Sequence, residues 1–378
     1  MFNPRMTRTQ LVRRGAGGLA LLSVPGLLAA CGGNGDEAAS DQLKDVVNFS
    51  NWELYIDTKK PTTLDMFKEQ NGITVNYFED INDNAQYFAK VQGPLSQGKG
   101  IGRDIFVFTD NSRFPGLLVE QGWVQKLDKS LIPNMSNLIE AQSSPPFDPN
   151  RDYSLPWFSG MTGLAWNNKL TGPVTTMEQF FTDPNLKGKV GMLLELADSV
   201  GLTMLGNGDD PTAVTDESFD RAMETIEAAV DSGQIRKFYG NDYTTPLTNG
   251  DLAAFTAWSG DVPQLQADNP DLEWALPESG GMIWTDNMFI PTGGSVATAS
   301  TYMNFVYDPA NAAKMTVEAQ YISSVDGVKE EAEKIDPDVA QSQYIFPSEE
   351  TLSNVYQYDS AALNNDDQIT TWQGVTGQ

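Results

Sequence analysis

Short apolar runs alternate along the chain with segments whose apolar residues recur at helical spacing. In residues 217–231, for example, Phe219, Met223 and Ile226 fall on one face of a helix. Strands that alternate with helices predict an α/β fold with a largely parallel sheet. The predicted strands are 46–50, 74–78, 104–109, 163–166, 190–194, 253–258, 272–276 and 281–291. The predicted helices are 61–70, 85–95, 114–121, 217–231, 300–307 and 309–321.

The alternation falls into two sets, and the second set begins after Trp157. About 335 residues follow the first 45, which is enough for two domains by length. We therefore expect two α/β units rather than one. Residues 1–31 form a leader of different composition, and residues 32–45 read as a flexible tether.

The leader has the composition of a secretory signal. Arginines at 5, 8, 13 and 14 precede a short apolar run that ends in Leu-Ala-Ala-Cys at Cys31. The run is shorter than the ~20 residues that cross a bilayer, so it favours a signal peptide over a membrane span. Its end resembles the bacterial lipobox, which implies that Cys31 is acylated and anchors the protein to the membrane; the alternative is a free cysteine. Export by the general secretory or by the twin-arginine route stays open.

Charge and composition exclude several functions. Without the leader, 20 basic and 51 acidic residues remain, a formal charge of −31. Such a surface repels nucleic acid. The chain has no histidine, which excludes Ser-His-Asp and Cys-His catalysis and histidine zinc sites. We expect no metal and no cofactor. Carboxylate-only chemistry, as in glycoside hydrolysis, stays possible.

Aromatic rings and carboxylates coincide at the predicted strand ends, where open α/β sheets bind their ligands. Tryptophan faces attract ammonium groups, and carboxylates complete the pairing through charge-assisted hydrogen bonds. The pattern predicts a site for a small organic cation, with a sugar as the second choice. The candidate residues are Trp52, Glu53, Thr109, Asn111, Glu195, Asp198, Trp258, Asp261, Trp284 and Asp286.

Several stretches carry a family resemblance in combination. They are Asn51-Trp52, the helix at 84–91, the run 147–157, Trp-Ser-Gly-Asp at 258–261 and Gly-Gly-Met-Ile-Trp-Thr-Asp at 280–286. From about residue 46 onward, the chain resembles the spermidine/putrescine-binding proteins of bacterial ABC uptake systems. The resemblance implies a two-lobe clamp of the type 2 periplasmic-binding-protein fold, each lobe a mostly parallel sheet flanked by helices. Lobe 1 would be 46–159 with 284–330, and lobe 2 would be 160–283 with 331–378.

The resemblance also implies roles for the candidate residues. Trp52 and Trp258 would stack on the aliphatic chain of a polyamine, and Trp284 would form a third wall. Asp261 and Asp286 would bind ammonium groups. The implied function is capture of putrescine or spermidine outside the cytoplasm and delivery to a membrane permease, by a monomer without enzymatic activity.

Two departures from the family pattern concern the far end of this site. Ser199 stands where the family usually has an acid, so Glu195 or Asp198 would take over. Asn111 stands where spermidine binders often have tyrosine, whereas Thr109 matches a hydroxyl position. Two alternatives stay open: a binder of the same fold for another solute, such as an amine osmolyte or a sugar, and a secreted glycosidase.

Overall fold

The structure, a computed structural model, describes residues 42–378. Every strand and helix predicted above has a counterpart in it. The strands are β1 Val46–Trp52, β2 Thr74–Ile81, β3 Ile105–Thr109, β4 Val124–Gln125, β5 Ser154–Asn167, β6 Val190–Leu193, β7 Ile235–Tyr239, β8 Ala254–Trp258, β9 Leu272–Ala275, β10 Gly281–Pro291, β11 Ile322–Ser323 and β12 Val355–Tyr356. The helices are α1 Thr63–Asn71, α2 Asn84–Ser96, α3 Phe114–Glu120, α4 Met177–Thr182, α5 Leu196–Asn207, α6 Asp216–Asp231, α7 Thr244–Thr248, α8 Asp261–Leu265, α9 Val296–Val306, α10 Pro309–Ala319, α11 Val328–Ile335, α12 Pro337–Ala340, α13 Glu349–Leu352 and α14 Asp366–Thr376.

The sheet is mixed rather than mostly parallel. Its order is β2-β1-β3-β10-β5-β8-β6-β7. Pairing is parallel at both ends, in β2-β1-β3 and in β8-β6-β7. In the middle, β10 and β5 run antiparallel to each other and to their neighbours. The prediction of an α/β fold is therefore confirmed, and the expected parallel pairing holds only for the outer strands.

Strand β5 is much longer than its sequence suggests. All fourteen of its residues are buried, and it pairs with β10 in its first half and with β8 and β9 in its second half. The prediction covered only 163–166. Pro156, Gly160 and Gly163 conceal the rest, because proline removes a ladder donor and glycine lowers strand propensity. Strands β5 and β10 thus join the two ends of the sheet.

Local sequence signals set several helix ends. Thr62 and Asp65 form a capping box that starts α1, and Gly72 ends that helix in the left-handed conformation. Helix α6 buries Phe219, Met223 and Ile226 on one face, as their spacing predicts.

Two separate hydrophobic clusters lie under the sheet. One surrounds β1, β3 and the second half of β10, with Phe49 and Phe106 fully buried, and extends to β8, α8 and β9 through Phe255, Val262 and Leu272. The other packs α5, α6 and α14 against β6 and β7, with Phe219 and Trp372 buried. The first cluster therefore spans both parallel parts of the sheet, and the second lies on the β6–β7 part alone.

The N-terminal leader, including Cys31, lies outside the described residues, as do residues 32–41 of the predicted tether. Within 42–45, the backbone N–H of Lys44 donates to Thr298 Oγ1 at 2.9 Å, and its ammonium lies 3.3 Å from Asp104. From 42 onward, no helix is both long enough and apolar enough to cross a membrane.

Candidate functional site

All ten candidate residues from the sequence line one cavity. The empty space among these residues is about 320 Å³, including its opening to solvent. Trp52, Thr109 and Trp258 stand at the ends of β1, β3 and β8, where the strand-end rule places a ligand. Trp284 and Asp286 are different, because they lie inside β10 rather than at a strand end.

A break in the β5–β10 register places Asp286. The pairing of β10 with β5 shifts between Thr285 and Asn287, which leaves Asp286 out of that ladder. On the other edge, Asp286 is paired directly with Thr109 of β3. The irregularity lets an interior strand residue present its carboxylate to the cavity.

Aromatic rings form the walls. Trp52 and Trp258 meet edge to face with ring centroids 5.6 Å apart, and Trp258 and Trp284 do so at 6.2 Å. The indole N–H of Trp284 donates to Thr162 at 3.0 Å. In the part of the chain described, the indole N–H of Trp52 is buried and has no acceptor. Packing holds all three rings, and hydrogen bonds of the indole N–H groups also hold Trp258 and Trp284.

Asp286 accepts two short hydrogen bonds from neutral donors. Tyr55 donates its hydroxyl to one oxygen and Thr109 to the other, both at 2.7 Å. Burial raises the pKa of Asp286 to about 7, although these hydrogen bonds lower it. The hydrogen bonds thus orient the charged carboxylate of Asp286, but neither donor carries a positive charge that would balance it.

Asp261 has a similar environment at the start of α8. Tyr321 donates to it at 2.6 Å, Tyr243 at 2.7 Å and the amide of Asn241 at 3.3 Å. Burial raises the pKa of Asp261 to about 6. Gly260 makes this arrangement possible, because a Cβ there would stand 2.4 Å from the ring of Tyr321.

Asp198 and Glu195 line the opposite side. Asp198 accepts from Thr162 at 2.8 Å and from Trp258 and Asn111 at 3.1 Å, and burial raises its pKa to about 6. Burial raises the pKa of Glu195 to about 8.

Asn84 at the start of α2 holds Glu195. Its backbone N–H donates to Glu195 Oε1 at 2.8 Å and its side-chain amide does so at 3.0 Å. Ser199 is turned away, since its hydroxyl donates to the carbonyl of Leu193 at 2.7 Å. Both acids that the sequence offered in place of an acid at Ser199 therefore line the cavity.

The charges of these acids are not balanced within the described part of the chain. Among residues 42–378, no lysine or arginine lines the cavity. Among residues 42–378, the ion pairs do not involve Glu195, Asp198, Asp261 or Asp286. In the same range, no three acidic side chains converge in a geometry suited to a metal ion. The site is therefore a set of separate buried carboxylates in an aromatic cage.

Three lining residues were missed from the sequence: Tyr55, Asn241 and Tyr321. Each contributes a neutral hydrogen bond to a carboxylate rather than a charge or a strand-end ring. Tyr55 lies only two residues after the candidate Glu53, and this closeness in sequence is the one signal that pointed to it. Asn241 and Tyr321 follow elements whose sequences carry no comparable signal. Glu53 lies at the exposed rim, where its N–H donates to Asn241 at 3.2 Å.

Comparisons with known proteins show the family and the fold of the chain. A model of the family described as bacterial extracellular solute-binding protein matches residues 62–343. The spermidine/putrescine-binding periplasmic protein of Escherichia coli is 25% identical over 337 residues, which cover 88% of this chain and 92% of the relative.

Solved structures share the fold. The spermidine/putrescine ABC transporter substrate-binding protein of Streptococcus pneumoniae superposes with a TM-score of 0.68 and 20% identity, over 88% of this chain and 100% of that one. The agropinic acid complex of a binding protein from A. tumefaciens R10 gives 0.71 and 18%, over 89% and 100%. The fold therefore accommodates different solutes, and the choice among them depends on the site.

Proposed function

Because the chain belongs to the bacterial extracellular solute-binding proteins, we propose that it captures a polyamine, putrescine or spermidine, in the cavity described above. The observation that carries the proposal is the set of three buried aspartates, Asp198, Asp261 and Asp286, which have no cationic partner among residues 42–378. The polyamine relatives support the same choice of ligand. The resemblance to spermidine/putrescine-binding proteins, inferred above from the sequence, is confirmed by the family match and by these relatives.

Electrostatics favours a polyamine over a neutral solute. A buried carboxylate without a counter-charge is costly, and the raised pKa values of these aspartates reflect that cost. A dication or trication supplies the missing charge at separate points along one flexible chain. A sugar offers hydroxyls to the same rings but leaves the charges uncompensated.

Each of the ten candidate residues has a proposed role. Asp286 and Asp261 bind ammonium groups, and Thr109 orients the first of these carboxylates. Trp52 and Trp258 pack on the methylene chain through apolar contacts, and their rings attract the neighbouring ammonium groups. The remaining candidates complete the site: Trp284 as a third wall, Glu53 at the rim, and Asn111, Glu195 and Asp198 at the far end.

Binding is proposed to close two lobes, 46–159 with 284–330 and 160–283 with 331–378. Both boundaries at 159/160 and 283/284 fall inside the joining strands β5 and β10, which suits a hinge. Lobe 1 supplies Asp286, and lobe 2 supplies Asp198 and Asp261. A ligand that bridges these carboxylates stabilises the closed form, and closure tightens its binding in turn.

The family consists of extracellular proteins, so the protein is exported. We further propose that it is attached to the membrane through Cys31. Acylation of Cys31 would hold the protein, as a monomer, at the outer face of the cytoplasmic membrane or in the periplasm. The closed form would then be recognised by the permease of an ABC importer. The acidic surface suits cation capture near the membrane.

Titration with four solutes tests the proposal. We expect putrescine and spermidine to change the tryptophan fluorescence of the purified protein saturably, because the cavity contains three tryptophans. Glycine betaine and maltose serve as the amine-osmolyte and sugar controls and should give no saturable change. A response to either control with silence towards both polyamines would refute the polyamine assignment.

A second prediction concerns closure. The backbone N–H of Asn241 donates to the carbonyl of Asn82 at 2.7 Å, and that of Asp242 donates to the Asn82 side chain at 2.9 Å. These bonds link the two proposed lobes. A Cβ on Gly240 would stand 2.3 Å from the same carbonyl. We expect Gly240→Ala to weaken polyamine binding about tenfold or more by obstructing closure.

Gly172→Ala is the matched control, since nothing lies within 4 Å of its Cβ position. Calorimetric titration of both variants measures their polyamine affinity. Thermal unfolding of the ligand-free proteins shows whether either substitution impairs folding instead of closure. Equal polyamine affinity of the two variants would contradict the proposed role of this contact.

A further inference from the structure

A second cavity adjoins the first beneath α14. It encloses about 520 Å³ of empty space, and the two cavities share Asn111 and Glu195. Its walls are largely apolar. The apolar residues include Phe114, Leu196, Leu363, Ile369 and Trp372. The two side chains at the far end of the first cavity thus also border a second space that is unlike the acidic first cavity.

Two polar atoms near this junction lack partners. Asn111 is 5% exposed, and its side-chain oxygen is buried without a donor in the described range. Arg113, which also lines the second cavity, has a buried Nε without an acceptor there, whereas its Nη1 bonds Asp366 at 2.7 Å. Buried polar groups are usually paired, so an unpaired acceptor and an unpaired donor require explanation. A secondary amide offers the complementary N–H and C=O.

Charge at the junction argues against another ammonium group. Apart from Glu195, the described residues that line the second cavity include no side-chain carboxylate that could bind one, and Asp366 is already paired with Arg113. Burial raises the pKa of Glu195 to about 8, so its side chain is mostly neutral at pH 7 and does not demand a cation. The apolar walls favour a hydrocarbon substituent.

The geometry points to polyamines that carry one N-acyl group as ligands of this protein. The ammonium groups occupy the first cavity, and the amide N–H donates to Asn111. The amide oxygen accepts from Arg113, and the acyl chain packs on Leu196, Ile369 and Trp372. This inference rests on the proposed polyamine function and extends it to substituted polyamines.

Calorimetric titration of the full chain tests it with three ligands: spermidine, and spermidine acylated on its aminopropyl nitrogen with an acetyl or a butanoyl group. Both acylated forms keep two ammonium groups. We expect the butanoyl form to bind about tenfold more tightly than the acetyl form, because two more methylenes are buried. Spermidine binding without binding of either acylated form overturns this inference alone. No binding of any of the three, together with no binding of putrescine, refutes the polyamine proposal itself.

A variant of α14 locates the acyl group. Ile369→Trp fills the second cavity, whereas Thr371→Trp adds the same side chain at an exposed position of the same helix. We expect Ile369→Trp to lower the affinity for butanoylspermidine relative to spermidine about tenfold, and Thr371→Trp to leave that ratio unchanged. If the ratio is the same in both variants and in the unmodified protein, the acyl group does not occupy this cavity. If Ile369→Trp does not fold, the comparison of acetylspermidine with butanoylspermidine in the unmodified protein alone tests the inference.

Discussion

Replacement of Asp286 by asparagine is expected to weaken polyamine binding about thirtyfold or more. Loss of one partner from a buried, hydrogen-bonded charge pair typically costs 2–5 kcal/mol, and about 1.4 kcal/mol corresponds to a factor of ten. Asp286 fits this case because it is buried and receives only the neutral donors Tyr55 and Thr109. Asparagine has nearly the same shape, so the change removes charge with little effect on packing. Calorimetric titration with putrescine and spermidine measures the loss.

The same variant should be more stable than the unmodified protein when no ligand is present. At pH 8 the Asp286 carboxylate is mostly charged and has no counter-charge, and asparagine removes that cost. Thermal unfolding of the ligand-free proteins tests this direction. Asp268→Asn, at an exposed position, changes the net charge by the same amount. It should leave both the polyamine affinity and the stability of the ligand-free protein unaltered. Unchanged polyamine affinity in Asp286→Asn would contradict the assigned binding mode.

Polyamine affinity is expected to fall at least about tenfold between pH 7.5 and pH 5.5. Burial raises the pKa values of Asp198 and Asp261 to about 6 and that of Asp286 to about 7. Below these values the carboxylates are protonated, and a cationic ligand must displace their protons. The ligand amines, which titrate near pH 10 as lysine does, keep their charge throughout.

Stability of the ligand-free protein should change in the opposite direction. The folded pKa of each aspartate lies above its unfolded value of 3.8, so the folded protein binds more protons between the two values. Stability from these groups is therefore greatest at low pH and is lost as pH rises through 6 and 7. Titration calorimetry in buffers of different ionisation enthalpy should detect proton release on binding near pH 6.5. Affinity independent of pH over this range would contradict the model of unpaired aspartates.

Local signals made much of the fold predictable. Apolar runs located the buried strands, and helical spacing located the Phe219 face of α6. The antiparallel centre of the sheet was not predictable, because strand direction depends on tertiary connections. Pro156 and the glycines of β5 further masked the strand that joins the two cores, since local propensity there opposes the extended conformation that burial imposes.

The candidate site was more predictable than the sheet. Charged and aromatic residues after strands converge in space, and all ten candidates line one cavity. Tyr55, Asn241 and Tyr321 were missed because neutral donors are chosen by the geometry of the carboxylates that they contact. The position of Asp286 inside β10 depends on a register break that the spacing of residues does not encode.

A crystal structure of the protein with spermidine is the most direct test of the central claim, that three unpaired aspartates in an aromatic cage bind a polyamine. We expect the ligand in the first cavity, with one ammonium group within hydrogen-bond distance of Asp286 and another near Asp261 or Asp198. Its methylenes should lie between Trp52 and Trp258. A complex in which spermidine binds elsewhere, or in which the cavity holds it without contact to any of these aspartates, would contradict the account.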